Sequence, residues 1–322
     1  MKFRAWLAIV AGILPATLVA IVVFLAAYSW PAMHFNGFGF VIRNTWNLGN
    51  LYADPITAHG FQIQPGATYG ILFLIVGTLA STLIALLIAL PVGVGAAIFL
   101  AEAVPDRLRL WISFFVELLM AIPSVVFGLW GYVVVIPFLG KHVFPLIAAT
   151  LGKALPFLGG PTGSGYGLMT AGVVLSLMIV PVISATLRDA LVNQPISLRE
   201  AALGLGATRF EALWKVMLPG ARKTLIGATF LALGRALGET MAVLMVSGNA
   251  LNYLPHNLYD PVSTMAAFIV SQLDSALQDP TGMAVRSLAE IAFVLAIISI
   301  LVNALARLLL LMWSGSQRSM AV

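Results

Sequence analysis

The chain has 322 residues, 61% of them hydrophobic and only 9% charged, with no cysteine and a formal net charge of +5. This composition excludes a soluble globular domain, and the missing thiols exclude disulfides, thiolate catalysis and zinc–thiolate sites. Charge-free stretches of about twenty residues read as membrane-crossing helices, so the basic residues set orientation and no nucleic-acid partner is implied.

Six spans are expected. Lys2 and Arg4 precede the first, residues 5–28. Its apolar run is longer than the h-region of a signal peptide, so it is read as a retained span. Residues 29–67 form a polar outer loop with Trp30, Trp46 and Tyr52, in which 33–40 is read as an interfacial segment. The second span, 68–101, exceeds a hydrocarbon core of about 30 Å and is expected to tilt, bend or extend beyond the lipid, with Pro91, Gly93 and Gly95 as the expected place. A short charged loop, 102–109, leads to the third span, 110–139, with Glu117, Pro123 and Pro137. Residues 140–167 form a Gly/Pro-rich loop, and 168–187, with Pro181, is the fourth span.

Residues 188–223 are the longest polar interruption. Ser197 with Glu200, and Thr208 with Glu211, have capping-box spacing. Gly204 and Gly206 lie between them, so the stretch reads as helix, glycine break, helix, and a stop at Pro219. Phe210, Leu213, Trp214 and Met217 fall on one expected apolar face. Ala201 and Ala202 give the first helix a small face that another backbone can approach, so the stretch is read as a docking element. The fifth span, 224–250, carries Arg235 and Glu239. Within the loop 251–286 the apolar stretch 261–273 leaves a re-entrant segment open, and 287–313 is the sixth span. Twelve Lys and Arg collect on one side and four on the other, which puts both termini and the 188–223 loop in the cytoplasm.

Arg235 lies about 18 Å beyond Lys223 by helical rise, near the bilayer midplane, where a charge is functional by default. Two readings stand: an ion pair with Glu239 one turn on, or an anion contact in a water-filled pathway. Glu117 either faces such a pathway or pairs with a basic residue of a neighbouring chain. Glu290 is read as an interfacial partner of Arg286. No histidine pair or carboxylate cluster has metal spacing, and the glycine run 159–167 lacks the GK[ST] of a phosphate cradle. Energy for uphill transport must therefore come from an ion gradient or a partner.

The loop then matches a family pattern. Glu200, Ala201, Ala202, Gly206, Val216, Leu218 and Pro219 stand at the spacing of the EAA loop of binding-protein-dependent ABC importer permeases, where it docks on the cytoplasmic ATPase. ELLMAIPSVVFGLWG (117–131), GRALGETMAVLMVSGN (234–249) and ALPVGVGAAIFLAEAVP (89–105) resemble the PstC type of phosphate permease more narrowly. WNLGN stands where that family more often has WNP. The resemblance implies an all-α membrane protein of six transmembrane helices, with the type I ABC importer permease fold and a cytoplasmic coupling helix. It divides the chain into a first helix with its outer loop (1–67), a permease core (68–313) and a cytoplasmic tail (314–322).

It also implies a non-enzymatic subunit of the inner membrane, importing inorganic phosphate. Its partners would be a PstA-type permease in a heterodimer, two PstB-type ATPases that bind the ATP and magnesium, a PstS-type external phosphate-binding protein and membrane lipid. No cofactor belongs to this chain. The implied pathway residues are Arg235 and Glu239, with Glu117 added from its depth. The implied coupling residues are Ser197, Glu200, Ala201, Ala202, Gly206, Phe210, Leu218 and Pro219. Rival readings are a permease for sulfate, molybdate or phosphonate, and an ion-coupled secondary transporter with Glu117 and Glu239 as carriers.

Overall fold

The structure is a computed structural model that describes residues 2–316; Met1 and 317–322, with Arg318 and most of the expected tail, lie outside the described residues. The described residues are built from helices, with one two-stranded hairpin among them. Among the described residues, five helices are long and apolar enough to cross a membrane, or six if a pair of helices bent by 64° is counted as one span.

The first helix, α1 (Lys2–Asn36), runs eight residues past the expected span. Ser29 donates to the Leu25 carbonyl (2.6 Å), so its hydroxyl is satisfied inside the helix and does not end it. The expected interfacial segment is therefore divided between the end of α1, a turn at Gly37 and the short α2 (Gly39–Ile42). The rest of the outer loop folds into a hairpin of β1 (Ile56–Ala58) and β2 (Phe61–Ile63). Asn252 fastens this loop to the later outer segment, accepting from the Trp46 amide (2.5 Å) and donating to its carbonyl (3.1 Å).

The next helix, α3 (Leu72–Ile98), keeps Pro91 inside it and ends in a π turn over Phe99–Ala103. The expected third span is split. Helix α4 (Asp106–Ala121) stops because Ile122, the residue before Pro123, is driven to extended backbone (ψ 130°). A helical rod, α5 (Ser124–Lys153), follows and takes in half of the expected 140–167 loop. Two π turns, Gly131–Val135 and Leu139–Val143, bracket Pro137. Their wider winding relieves the clash between the ring and the preceding turn, so neither Pro137 nor Gly140 ends the rod.

The fourth span, α6 (Leu168–Val192), also continues through Pro181 and includes Arg188. The loop holds α7 (Ile196–Gly204) and α8 (Arg209–Gly220). Helix α9 (Arg222–Leu237) ends at Gly238, and α10 (Met241–Val246) is separate, so the fifth span is interrupted. The apolar stretch after it forms α11 (Met265–Leu277), about 20 Å long and too short to cross. Asp279 then caps the start of α12 (Met283–Ser316), accepting from the Thr281 and Ala284 amides.

Helix α6 is the axis of the core, with Leu168, Leu175, Ile179, Ile183 and Leu187 almost wholly covered. Between lipid-immersed helices apolar burial gives little net drive, and close packing of small residues replaces it. Ala85, Ala89 and Gly93 of α3 supply that surface, with Gly93 against Ile183. At the far end of α3, a Cβ on Gly77 would collide with the Ser263 carbonyl, whereas a Cβ on Gly95 would meet nothing. Gly77→Val is expected to lose the folded protein from membranes and Gly95→Ala to retain it. Thermal melting of the detergent-solubilised chain checks this, with a loss of about 1–3 kcal/mol expected for the first.

Candidate functional site

The 196–220 segment is built by two different helix stops. Pro195 fixes the entry to α7, so that helix begins at Ile196 and Ser197 lies inside it without a capping bond. The expected Ser197–Glu200 box is therefore absent. Gly206 (φ 88°) adopts the left-handed conformation that ends α7. The Gly206 amide donates to Leu203 (3.0 Å) and the Ala207 amide to Ala202 (3.1 Å), the paired bonds of a Schellman stop. Only glycine takes this φ without strain, which is the physical reason for Gly206. The second box is complete: Glu211 donates its amide to Thr208 Oγ1 (3.2 Å), and the Thr208 amide donates to the Glu211 carboxylate (3.0 Å).

Pro219 lies inside α8, and the break comes at Ala221. The expected single apolar face divides. Leu213 and Met217 are buried with Leu187 and Leu191, while Phe210 and Trp214 project outward with ring centroids 5.9 Å apart. Ser197, Glu200, Ala201, Gly206, Phe210 and Pro219 are exposed, Leu218 is half-buried and Ala202 is buried. Leu205 is 91% exposed and Phe210 68%, which is a large apolar display for a polar segment. A cleft of 350 Å³ between α7 and α8 is lined by Ala202, Leu205, Gly206 and Glu211 among others. The segment is tied to the spans by a Glu102–Arg199 ion pair and by Gln194, which donates to the Met217 carbonyl (2.8 Å).

Above this segment lies a cavity of 890 Å³ whose lining includes Glu117, Met120, Asp189, Asn193, Thr224 and Arg235. Thr224, at the loop end of α9, and Arg235 are about 16 Å apart along the helix, so the cavity runs from the loop to the Arg235 level. Arg235 does not pair with Glu239. Helix α9 ends at Leu237, and the one-turn spacing that would align them is lost. Arg235 donates instead to the Met120 carbonyl (3.4 Å), and among the described residues no carboxylate lies within ion-pair distance of it. Glu239 accepts from the amides of Thr240 (3.2 Å) and Ala242 (3.4 Å) at the start of α10 and is not among the cavity's lining residues.

Glu117 shares the cavity with Arg235, but its partner is Arg188 of the same chain (3.0 Å). Arg188 also holds Asp189 (2.6 Å). Sequence reasoning missed both residues because the fourth span was ended at Leu187; carrying the helical period one turn further puts them beside the spans. Glu290 likewise departs from expectation: it is buried and accepts from Asn36 Nδ2 (2.8 Å), fixing α12 to the end of α1. Among the described residues no group of three His, Asp or Glu is placed to hold a metal.

Residues 93–313 match the family of binding-protein-dependent transport system inner membrane components. The chain belongs to that family. Among its relatives, phosphate transport system permease protein PstC 1 of Mycobacterium tuberculosis is 46% identical over 278 residues, covering 86% of this chain and 82% of that one. PstC of Pasteurella multocida is 38% identical over 299 residues, covering 91% and 86%. Among solved structures, the inward-facing MetNI methionine ABC transporter has a TM-score of 0.51 at 20% identity over 74% of this chain and 96% of that one. A bacterial alginate ABC transporter has a TM-score of 0.50 at 17% identity, covering 71% and 74%. The all-α fold is that of a type I ABC importer permease.

The cap geometry can be tested directly. Thr208→Ala is expected to lose about 1 kcal/mol of local stability, read as roughly fivefold faster hydrogen exchange at the first amides of α8. Ser197→Ala is expected to leave the amides of α7 unchanged.

Proposed function

We propose that the chain is the phosphate-translocating permease subunit of an ATP-driven importer. The observation that carries this reading is Arg235, with no carboxylate among the described residues within ion-pair distance, in the lining of a cavity that extends along α9 to Thr224. A guanidinium offers charge and several donors to a phosphate oxyanion. Its existing bond to a backbone carbonyl is long and readily exchanged, as a site must be if it is to release what it binds. The names of the relatives supply the substrate, and the geometry accommodates it.

In this reading both termini and the 196–220 segment are cytoplasmic. The Leu205–Phe210 display and the adjoining cleft dock on a PstB-type ATPase, which binds the ATP and magnesium. A PstA-type permease completes the pathway, and a PstS-type binding protein delivers phosphate from outside. Glu239 serves as a positioning residue, holding α10 in place beyond the break. An ion-coupled carrier is less well supported, because Glu117 is already engaged in an ion pair with Arg188.

Arg235→Ala is expected to lower phosphate uptake by tenfold or more, a loss of about 1.4 kcal/mol or greater, while the complex still assembles. Uptake of labelled phosphate into proteoliposomes, normalised to co-purified ATPase, measures this; unchanged uptake removes Arg235 from the pathway. Gly206→Val, with open space around the Cβ but a disfavoured φ, is expected to weaken ATPase retention without loss of the chain from the membrane. Pull-down of the ATPase from solubilised membranes checks that.

A further inference from the structure

Arg188 is 7% exposed and sits on α6 behind the cavity wall. Its Nη2 donates to Glu117 (3.0 Å) and Asp189 (2.6 Å), and its Nε donates to Asp189 (3.0 Å). The two carboxylate side chains are 52% and 61% exposed, and both line the 890 Å³ cavity with Arg235. Both also line a second cavity, of 390 Å³, on the side of Arg109 and Ser113. The ion cluster is thus the partition between two open spaces, with its cation buried and its anions facing the route. Arg188 Nη1 is buried and has no hydrogen-bond partner. A cluster serving only to join α4 to α6 has no need to present two carboxylates to an open cavity.

Carboxylates beside an anion's exit repel it unless they are neutralised, and low-dielectric walls strengthen that field. We propose that Arg188 is a charge-balancing residue of the anion exit, holding Glu117 and Asp189 so that phosphate leaving Arg235 passes a wall with one uncompensated carboxylate instead of two. The inference rests on the reading of the 890 Å³ cavity as the phosphate route. Arg188 acts through the two carboxylates and is a positioning residue, not a primary anion contact. Arg188 offsets one of the two carboxylates, so removing it doubles the net negative charge of the wall.

The test uses proteoliposomes holding the assembled transporter, with labelled inorganic phosphate as the probe. Arg188→Gln is expected to lower the maximal uptake rate about tenfold while leaving the half-saturating phosphate concentration, set by capture outside, unchanged. The triple variant R188Q/E117Q/D189N, which removes the carboxylates along with their counter-ion, is expected to recover most of that loss. A merely structural bridge predicts the opposite, because the triple variant still lacks the bridge. Normal uptake by R188Q overturns the proposal. So does a triple variant that transports no better than R188Q or fails to accumulate. If R188Q itself does not accumulate, uptake by the triple variant decides alone. Absence of phosphate uptake by the unsubstituted complex, with uptake of another oxyanion, overturns the substrate assignment instead and leaves the exit test to be run with that anion.

Discussion

The close packing of α3 on α6 is the constraint on which the other elements depend. Small residues at Ala85, Ala89, Gly93 and Ala171 let the two backbones approach, and in lipid this contact has to replace the hydrophobic drive of a water-soluble core. A rigid α6 then does two further things. Its loop end carries Leu187 and Leu191, onto which Leu213 and Met217 of α8 pack. One side of the same end carries Asp189 into the cavity, while Arg188 reaches across to Glu117 on α4. The docking segment and the cavity wall are thus mounted on one helix.

A second constraint is that backbone groups freed at membrane depth must find partners. The structure breaks two helices there, α4 at Pro123 and the fifth span at Gly238–Thr240. Met120 lies in the last turn of α4, where carbonyls lose their helical partners, and Arg235 donates to it. The first amides of α10 are likewise orphaned, and Glu239 accepts from one of them. The two charged residues that stand out in the fifth span therefore answer the two breaks around them. That explains why they need not pair with each other. It also places a guanidinium with only a long hydrogen bond where the helices are already interrupted.

Much of this was legible from residue types alone. Charge-free runs located the spans, and the Thr208–Glu211 spacing gave a cap that the structure contains to the atom. Arg235 stands out in the sequence by its depth, and in the structure it lines the 890 Å³ cavity. The misreadings have a common physical origin. Proline and glycine signal the same possibility wherever they occur, yet Pro91 and Pro181 sit within continuous helices, Pro137 is absorbed by π turns, and Pro123 ends a helix. The outcome depends on neighbours that can take the displaced carbonyls, and those are tertiary. Ser197 failed as a cap for a local reason, since Pro195 had already started the helix. The Arg188 cluster was illegible because Glu117 lies seventy-one residues away in sequence.

The route from the docking segment to Arg235 differs from the one that chain order suggests. Pro219 and Arg235 are only sixteen residues apart, which invites the picture of a single lever. The 64° bend between α8 and α9 argues against it, because a push along α8 is not aligned with α9. The packed contacts run elsewhere. Leu213 and Met217 bear on Leu187 and Leu191, which flank Arg188, while Arg199 grips Glu102 at the end of α3. Displacement of the docking segment would therefore be felt first by the paired helices α3 and α6, and through Arg188 by the carboxylates at the exit. Arg235 would respond second, as α4 and α6 shift and Met120 moves with them. Under the proposed route, an order of this kind would move the carboxylate wall before Arg235, and it follows from which side chains are packed and not from which residues adjoin in sequence.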